Sequence, residues 1–596
     1  MRSASWVPCA SPWRPLTNHD NAEGQNWPTM TDPVPHTSFP QYRLTNIVQD
    51  IVTQLGLLIR LERKMLGIIA SYAVAIGMFM LCVPIAVQEL VSTFSFAIEP
   101  IMILTLTLVV GSALTGAAAF RILQARAVET LQQRIYARIA IAFTETLPKI
   151  REEVFLPQHA HRFAEADLLT RALVAMVADL FYVAVVGSVG MSLLVFFHPY
   201  FLLYNVILVV GFVFLLTVFG KGGFLITLEM SRLNYDMYHW MQNIAANLPH
   251  LRAVGNSPYL IRKTDELTRA YAEVRQRRSD LLTGRQYKAA AMWQVVGHAG
   301  LIGTAGMLVS IGQLTVGQFA AAELVAGNLL LNMDTLARRM VHMFFAFVSF
   351  RELNAFFSLP QDETASRTVV PLSQFGLAGI KVTARNLSFA YAGAPILFEH
   401  FHLDVAPGEK VVVLCHSNMQ KIALSRILAG LLAPSTGVVR YNDMNLVEVS
   451  LDSIDTCRSL MLDSHPTLLE GTIEDNITLG RQSIGYEDVQ WALEFVELDV
   501  EIDRMQEGLT TNVTGQSTQF TLSQILRLLL ARAIVTRPHV LIVEGTLHSM
   551  APSVREVILR RLCSKDEPWS IIFVSNDPTF SRYVDRQITL EHLPSV

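Results

Sequence analysis

The sequence predicts a multi-domain membrane protein: a six-helix transmembrane bundle followed by an α/β domain with a largely parallel sheet. Three observations carry this. The chain of 596 residues is too long for one ordinary domain, its mean hydropathy is +0.35, and 51% of it is apolar against 16% charged. Three long segments contain no Lys or Arg: from Lys64 to Arg121, from Arg171 to Lys221 and from Lys288 to Arg338. From about Leu372 onward, strand-like runs such as KVVVLC, HVLIVEG and WSIIFVS alternate with helical ones.

Each Lys/Arg-free segment is about twice the ~20 residues that cross a bilayer. Each also breaks near its middle at polar or turn-prone residues: Gln88 to Pro100, His198–Pro199, and Gly312 to Gly317. Three helical hairpins, or six spans, follow. The breaks lack Lys and Arg, whereas the segments between hairpins carry Arg121, Arg126, Arg134 and Arg138, then Lys221, Arg232, Arg252, Arg262 and Lys263. By the positive-inside rule the N-terminus and the inter-hairpin segments are cytoplasmic, on an inner or plasma membrane. Gln124 to Glu165 and Lys221 to Tyr287 read as polar helices, too long for turns, that act as levers below the membrane.

Residues 1–41 are rich in Pro, Trp, Ser, Asn and His and are predicted disordered, with Met30 an alternative start. Tyr42 to Met65 has apolar residues at helical spacing and either lies on the inner membrane surface or packs on protein as a cytoplasmic helix. The transmembrane domain is placed at 42–355, a polar, Pro-bounded linker at 356–378, and the α/β domain at 379–596. A net charge of −4 gives no sign of a nucleic-acid partner, and the five cysteines show neither metal spacing nor a paired framework.

The α/β domain contains the frame of a phosphate-binding strand–loop–helix between Val405 and Asn442. A buried strand, Val411 to Leu414, leads through a turn with Ser417 into a helix predicted from Ile422 to Leu432. A phosphate-binding turn needs glycines, because only backbone without Cβ lets several N–H groups converge on one anion. Cys415, Asn418 and Gln420 occupy those positions, Lys421 is retained, and Ile422 and Ala423 stand where a hydroxyl would hold Mg²⁺.

The order of motifs resembles a half-transporter of the ATP-binding cassette (ABC) family, exporter type, from Tyr42 to the C-terminus. Leu387-Ser-Phe-Ala-Tyr391 resembles the segment whose aromatic residue stacks on adenine. Pro407-Gly-Glu-Lys410 and Leu428-Ala-Gly-Leu-Leu-Ala-Pro-Ser-Thr-Gly437 flank the Walker A position. Gly471-Thr-Ile-Glu-Asp-Asn-Ile477, Ala531-Arg-Ala-Ile534, Arg537-Pro538 and Tyr583-Val-Asp-Arg586 match further landmarks in order. The resemblance implies ATP and Mg²⁺ as ligands, with each ATP held between the Walker motifs of one domain and the signature of another. It also implies a second half-transporter, as homodimer or heterodimer, a lipid bilayer, and a transported substrate that the sequence does not identify.

The family's functional positions depart from its pattern. Glu544 stands at the Mg²⁺-ordering Walker B aspartate, and Gly545 at the general base, where nothing can orient a water. The signature reads Thr521, Leu522, Ser523, Gln524 after Phe520, without its glycines. Ser464 holds the Q-loop position, Asn576 the switch-histidine position, and His548 lies in a loop where it reads as merely exposed. The resemblance therefore implies an exporter subunit with weak or absent hydrolysis; the alternative is a catalytically inactive membrane scaffold or regulator whose ABC domain is an interaction module. No peptidase-like segment precedes the spans, which disfavours export of leader peptides. Within the spans Asp179, His298 and Glu323 are ionisable candidates, with Asp334 near a span end, each facing a central cavity or paired inside the bundle.

Overall fold

Apolar helices build the membrane half. α1 (Arg63–Met80) and α2 (Cys82–Phe94) are separated only by Leu81. Pro84 accounts for the interruption, since its ring clashes with the carbonyl four residues earlier, that of Met80. α3 (Pro100–Thr146) returns as an unbroken helix of 47 residues. At about 1.5 Å per residue it is roughly 70 Å long, more than twice the hydrocarbon core of a bilayer. α4 (Glu165–Phe197) and α5 (Tyr200–Phe219) form the second hairpin across His198–Pro199. α6 (Gly223–Ala246), the short α7 (Leu248–Val254) and α8 (Pro258–Ser279) are the polar stretch predicted as a lever. A π-helical segment, Asp280–Tyr287, joins α8 to α9 (Lys288–Ser310). α10 (Val316–Phe357) completes the third hairpin. Its turn contains Gly312 at φ +73, a conformation that suits glycine, and its start is fixed by a capping box between Thr315 and Gln318.

This computed structural model describes residues 62–94, 100–150, 157–255, 257–360, 379–391, 393–449, 451–464, 466–514 and 519–590. The expected disorder of 1–41, the start at Met30, the readings of Tyr42 to Met65 up to Leu61, and most of the linker 356–378 lie outside the described residues. Among the described residues, 5 helical rods are long and apolar enough to cross a membrane: Arg63–Thr93, Pro100–Lys149, Ala160–Phe197, Tyr200–Phe219 and Pro258–Ser310. The expectation of six is corrected in this respect. α10 occupies the sixth place, but Gln318, Glu323, Asn328, Asn332 and Asp334 along its first half dilute its apolar character.

The α/β domain has two main sheets. β1 (Val382–Phe389) pairs antiparallel with β2 (Phe398–Val405) and with β4 (Thr436–Tyr441), and β4 pairs with β5 (Met444–Asn445). The second sheet is parallel and five-stranded. It comprises β3 (Lys410–Leu414), β6 (Arg458–Leu462), β9 (Val540–Glu544), β10 (Ser570–Ser575) and β11 (Arg586–Thr589), in the order β11-β3-β10-β9-β6. A small ladder of β7 (Gly471–Thr472) and β8 (Asn512–Val513) stands beside them. Both faces of the parallel sheet are buried, which explains its continuous apolar runs. Ile571 and Phe573 join one hydrophobic core, and the alternate residues Ile572 and Val574 join the other. The observed architecture confirms the α/β reading.

Candidate nucleotide site

The parallel strands end in register. Leu414 pairs with Ser575, Val574 with Glu544, and Glu544 with Leu462. The residues that follow, Cys415, Asn576, Gly545 and Ser464, therefore share one edge, the carboxyl end of the sheet where α/β folds bind ligands. The structure thus brings together the Walker A, Walker B, Q-loop and switch positions that lie far apart in sequence.

At the Walker A position the helix, α11 (Asn418–Leu428), starts four residues earlier than predicted and also ends earlier. Its start is set by a capping box between Ser417 and Gln420, and Gly430, at φ +72, lies just beyond its end. Gln420 is buried, and its Oε1 accepts the N–H groups of His416 at 3.1 Å and Ser417 at 3.2 Å. Its Nε2 donates to Leu397 O at 2.8 Å. A phosphate oxygen would need those same amides, so the turn is filled by its own side chain. Cys415 is buried, and its N–H donates to Ser575 O at 2.8 Å. Burial pushes its thiol up to about 12; Lys421 acts against that shift and Glu544 adds to it. Asn418 is exposed, Ala423 is core and Ile422 is half-buried, so no hydroxyl is offered to a metal at either of the last two.

Lys421 turns inward. Its Nζ lies 3.7 Å from Glu544 Oε1, with side-chain exposures of 9% and 0% respectively. Ser425 Oγ donates to Glu544 Oε2 at 3.2 Å. The Walker B carboxylate thus neutralises the Walker A lysine within the protein. Tyr391 packs against the core and meets Phe389 edge-on, with ring centroids 4.9 Å apart. Ser464 Oγ is buried without a hydrogen-bond partner among the described residues.

Gly545 has φ +122, and a Cβ built there would overlap the Asp463 side chain. Asp463, which the motif reading passed over, accepts the N–H groups of Thr546 at 3.0 Å and Leu547 at 3.4 Å through Oδ2. A carboxylate just after β6 thus stands beside the general-base position. A carboxylate directly before the Q-loop position, together with a glycine at the base position, was the available signal.

The signature helix, α12 (Leu522–Ile534), repeats the Walker A device. Thr521 N–H donates to Gln524 Oε1 at 2.8 Å, and Gln524 N–H donates to Thr521 Oγ1 at 3.3 Å. Gln524 Nε2 also donates to Glu501 at 2.7 Å. Leu522 is 46% exposed at the helix start and Ser523 is half-buried. Asn576 is exposed. Its neighbour Asp577 is buried and bonded to Arg555 and to Thr579. Burial pushes the Asp577 carboxyl up, but the Thr579 and Arg555 hydrogen bonds outweigh it and hold it below the usual carboxylate range. His548 is exposed as expected but not isolated, since its Nε2 is 3.3 Å from Asp577 Oδ2.

No protein-family model matches the chain. In sequence it is similar to the lactococcin transport/processing ATP-binding protein LcnC-like of Lactococcus lactis, 24% identical over 247 residues, covering 41% of this chain and 33% of the relative. It is also similar to the alpha-hemolysin translocation ATP-binding protein HlyB of Escherichia coli, 23% identical over 285 residues, covering 48% of this chain and 40% of that protein. The chain thus spans well under half the length of these curated relatives. A solved structure of a bacterial Atm1-family ABC exporter with ATP bound aligns at a TM-score of 0.77 and 17% identity, covering 89% of this chain and 94% of that one. The chain has the fold of an ABC exporter.

In the membrane half the ionisable candidates are paired. Asp179 on α4 bonds Arg339 on α10, and Asp334 pairs with Arg338 one turn away. His298 Nδ1 on α9 lies 2.7 Å from Glu323 Oε1 on α10. Nearer the levers, Glu165 accepts the Tyr235 hydroxyl at 2.5 Å and the Ser349 hydroxyl, tying α4, α6 and α10 together.

Proposed function

We propose that this chain is a membrane subunit of an exporter-type ABC transporter that hydrolyses little or no ATP itself. It works as a homodimer or heterodimer with a second half-transporter and moves an unidentified substrate across the inner or plasma membrane. The membrane domain spans about 42–355, a linker 356–378, and the cytoplasmic ABC domain 379–596. The carrying observation is the Gln420 carboxamide on the amides of His416 and Ser417. To bind there, a phosphate must expel a ligand that is covalently attached and always present. The pairing of Lys421 with Glu544 adds to the barrier, since both would need new partners in an otherwise buried place.

The residues present do not fit Mg²⁺-ATP as the family holds it. The hydroxyl after the lysine is missing, Glu544 is fully buried against Lys421 and Ser425, and Gly545 offers no base. Removing one such electrostatic or general-base contribution costs on the order of 10²-fold in rate or more. Weak nucleotide binding through Tyr391 and Lys421 remains compatible with the site. A partner carrying intact glycines would supply the turnover.

The test is nucleotide binding and ATPase activity of the purified full chain in lipid, followed by identification of proteins that co-purify from its native membrane. Hydrolysis at background and a second half-transporter as partner are expected. Turnover at an ordinary ABC rate would sink the reading, and a partner unrelated to transport would favour the scaffold role.

A further inference from the structure

We propose that His298 and Glu323 form an intramembrane proton-exchange site that couples the movement of α9 against α10 to uptake and release of a proton. The coupling part rests on the low-turnover reading above, which leaves transport in need of another driving force. The proton site itself stands on the geometry of the pair.

Three observations carry it. First, both residues lie within the bundle, on α9 and α10, and the 2.7 Å contact between His298 Nδ1 and Glu323 Oε1 joins them directly. His and Glu are the side chains that relay protons through membrane proteins, because each exists in two protonation states at accessible pH. Asp179–Arg339, another charged contact between helices, is different: an arginine does not give up its proton. Second, the pair is not closed. Glu323 Oε2 is buried and has no hydrogen-bond partner among the described residues. A purely architectural ion pair in an apolar setting needs its remaining lone pairs engaged. Third, the side chains are 34% and 32% exposed. Presenting ionisable groups to hydrocarbon is expensive, so these exposed faces belong on a hydrated path or against a second subunit.

The step is a proton transfer. A hydronium ion on one side gives up a proton, an N–H or O–H bond forms in the pair, and the same bond breaks when the proton leaves to water on the other side. Loading adds one positive charge to the pair. In low dielectric the two states favour different surroundings, which links protonation to the packing of the helices. The helices packed against α9 and α10 bring further ionisable groups, among them Tyr200 and Tyr204 from α5, Asp179 and Tyr182 from α4, Cys82 and Glu89 from α2, and Glu229 and Arg232 from α6. Tyr204 is in electrostatic contact with Glu323, and its hydroxyl donates to Gly297 O at 3.1 Å, beside His298. α10 itself adds Asp334, Arg338 and Arg339 further along.

The test uses the full chain in phosphatidylethanolamine–phosphatidylglycerol vesicles. Infrared difference spectra are recorded as pH is stepped, and hydrogen exchange of α9 and α10 is followed in parallel. A titrating carboxyl band is expected that is lost in Glu323→Gln and retained in Asp179→Asn. In His298→Gln its midpoint should move by about one pH unit or more. Exchange in α9 and α10 should change across the same midpoint in the unmodified chain and stay fixed in Glu323→Gln. A band indifferent to Glu323→Gln, a midpoint indifferent to His298→Gln, or exchange that ignores pH would overturn the proposal and leave a static pair. ATPase activity of the same vesicles is read separately. Ordinary turnover there would remove the low-turnover reading while leaving the proton site standing.

Discussion

The Gln420 carboxamide holds the amides of His416 and Ser417, so any phosphate must first displace it. Gln420→Ala removes that competitor and half of a capping box. Affinity for a fluorescent ATP analogue should rise about tenfold, or ~1.4 kcal/mol, while the helix loses about 0.5–2 kcal/mol. Parallel nucleotide titrations and melts would show the opposed signs; unchanged affinity would mean that Gln420 does not guard the turn. Lys421→Met strands Glu544, which has no solvent exposure. It should cost about 3–5 kcal/mol in the unfolding of the ABC domain, and adding Glu544→Gln should recover most of the loss. In an ordinary phosphate-binding loop the same lysine change impairs mainly nucleotide handling. Gly545→Glu should fail to restore a base, because its Cβ overlaps Asp463 and its φ of +122 suits glycine. Strain of about 1–3 kcal/mol is expected in thermal unfolding, partly relieved by adding Asp463→Gly.

At the scale of elements, α11 and α12 carry the same punctuation, Ser417-Asn-Met-Gln420 and Thr521-Leu-Ser-Gln524. These are the two helix starts from which an ABC pair would hold one nucleotide's phosphates, and both satisfy their own amides. The four-residue spacing was legible in the sequence as a start signal for each helix. What hid it was alignment to a family motif, which counts missing glycines and does not ask what Gln420 and Gln524 bond instead. Asp463 was missed for a related reason: it matters through contact with Gly545, 82 positions away in sequence, and no local pattern reports that. The segment after β10 depends on Asp577, whose carboxyl is held below the usual range. Its stabilisation is fully present at neutral pH and lost as pH falls through that lowered value. Arg555→Ala removes part of the cause, so acid unfolding of the ABC domain should begin at a higher pH, as circular dichroism across a pH series would show.

At the scale of the whole molecule, hydropathy and charge asymmetry were enough to place the three hairpins, because the bilayer imposes long apolar runs and the levers require charge. The sixth helix, α10, falls short of an apolar span by length and composition because Gln318, Glu323, Asn328, Asn332 and Asp334 lower its mean hydropathy. The sheet order was not legible, since register among β3, β10, β9 and β6 arises from contacts remote in sequence. One whole-chain prediction follows from the occupied turn. A ligand stabilises by RT ln(1 + [L]/Kd); with the turn occupied, Kd should exceed about 1 mM, so Mg²⁺-ATP at about 1 mM should raise the melting temperature of the ABC domain by less than about 2 °C. A large shift would show that the turn opens readily. The unbroken length of α3 bears on how such a chain can still take part in work done elsewhere. A rod of about 70 Å that pivots by roughly 5° carries its far end about 6 Å, close to one helical turn. Leverage of this kind is passive: it transmits whatever angle is imposed at either end, whether or not the domain attached to it spends any fuel.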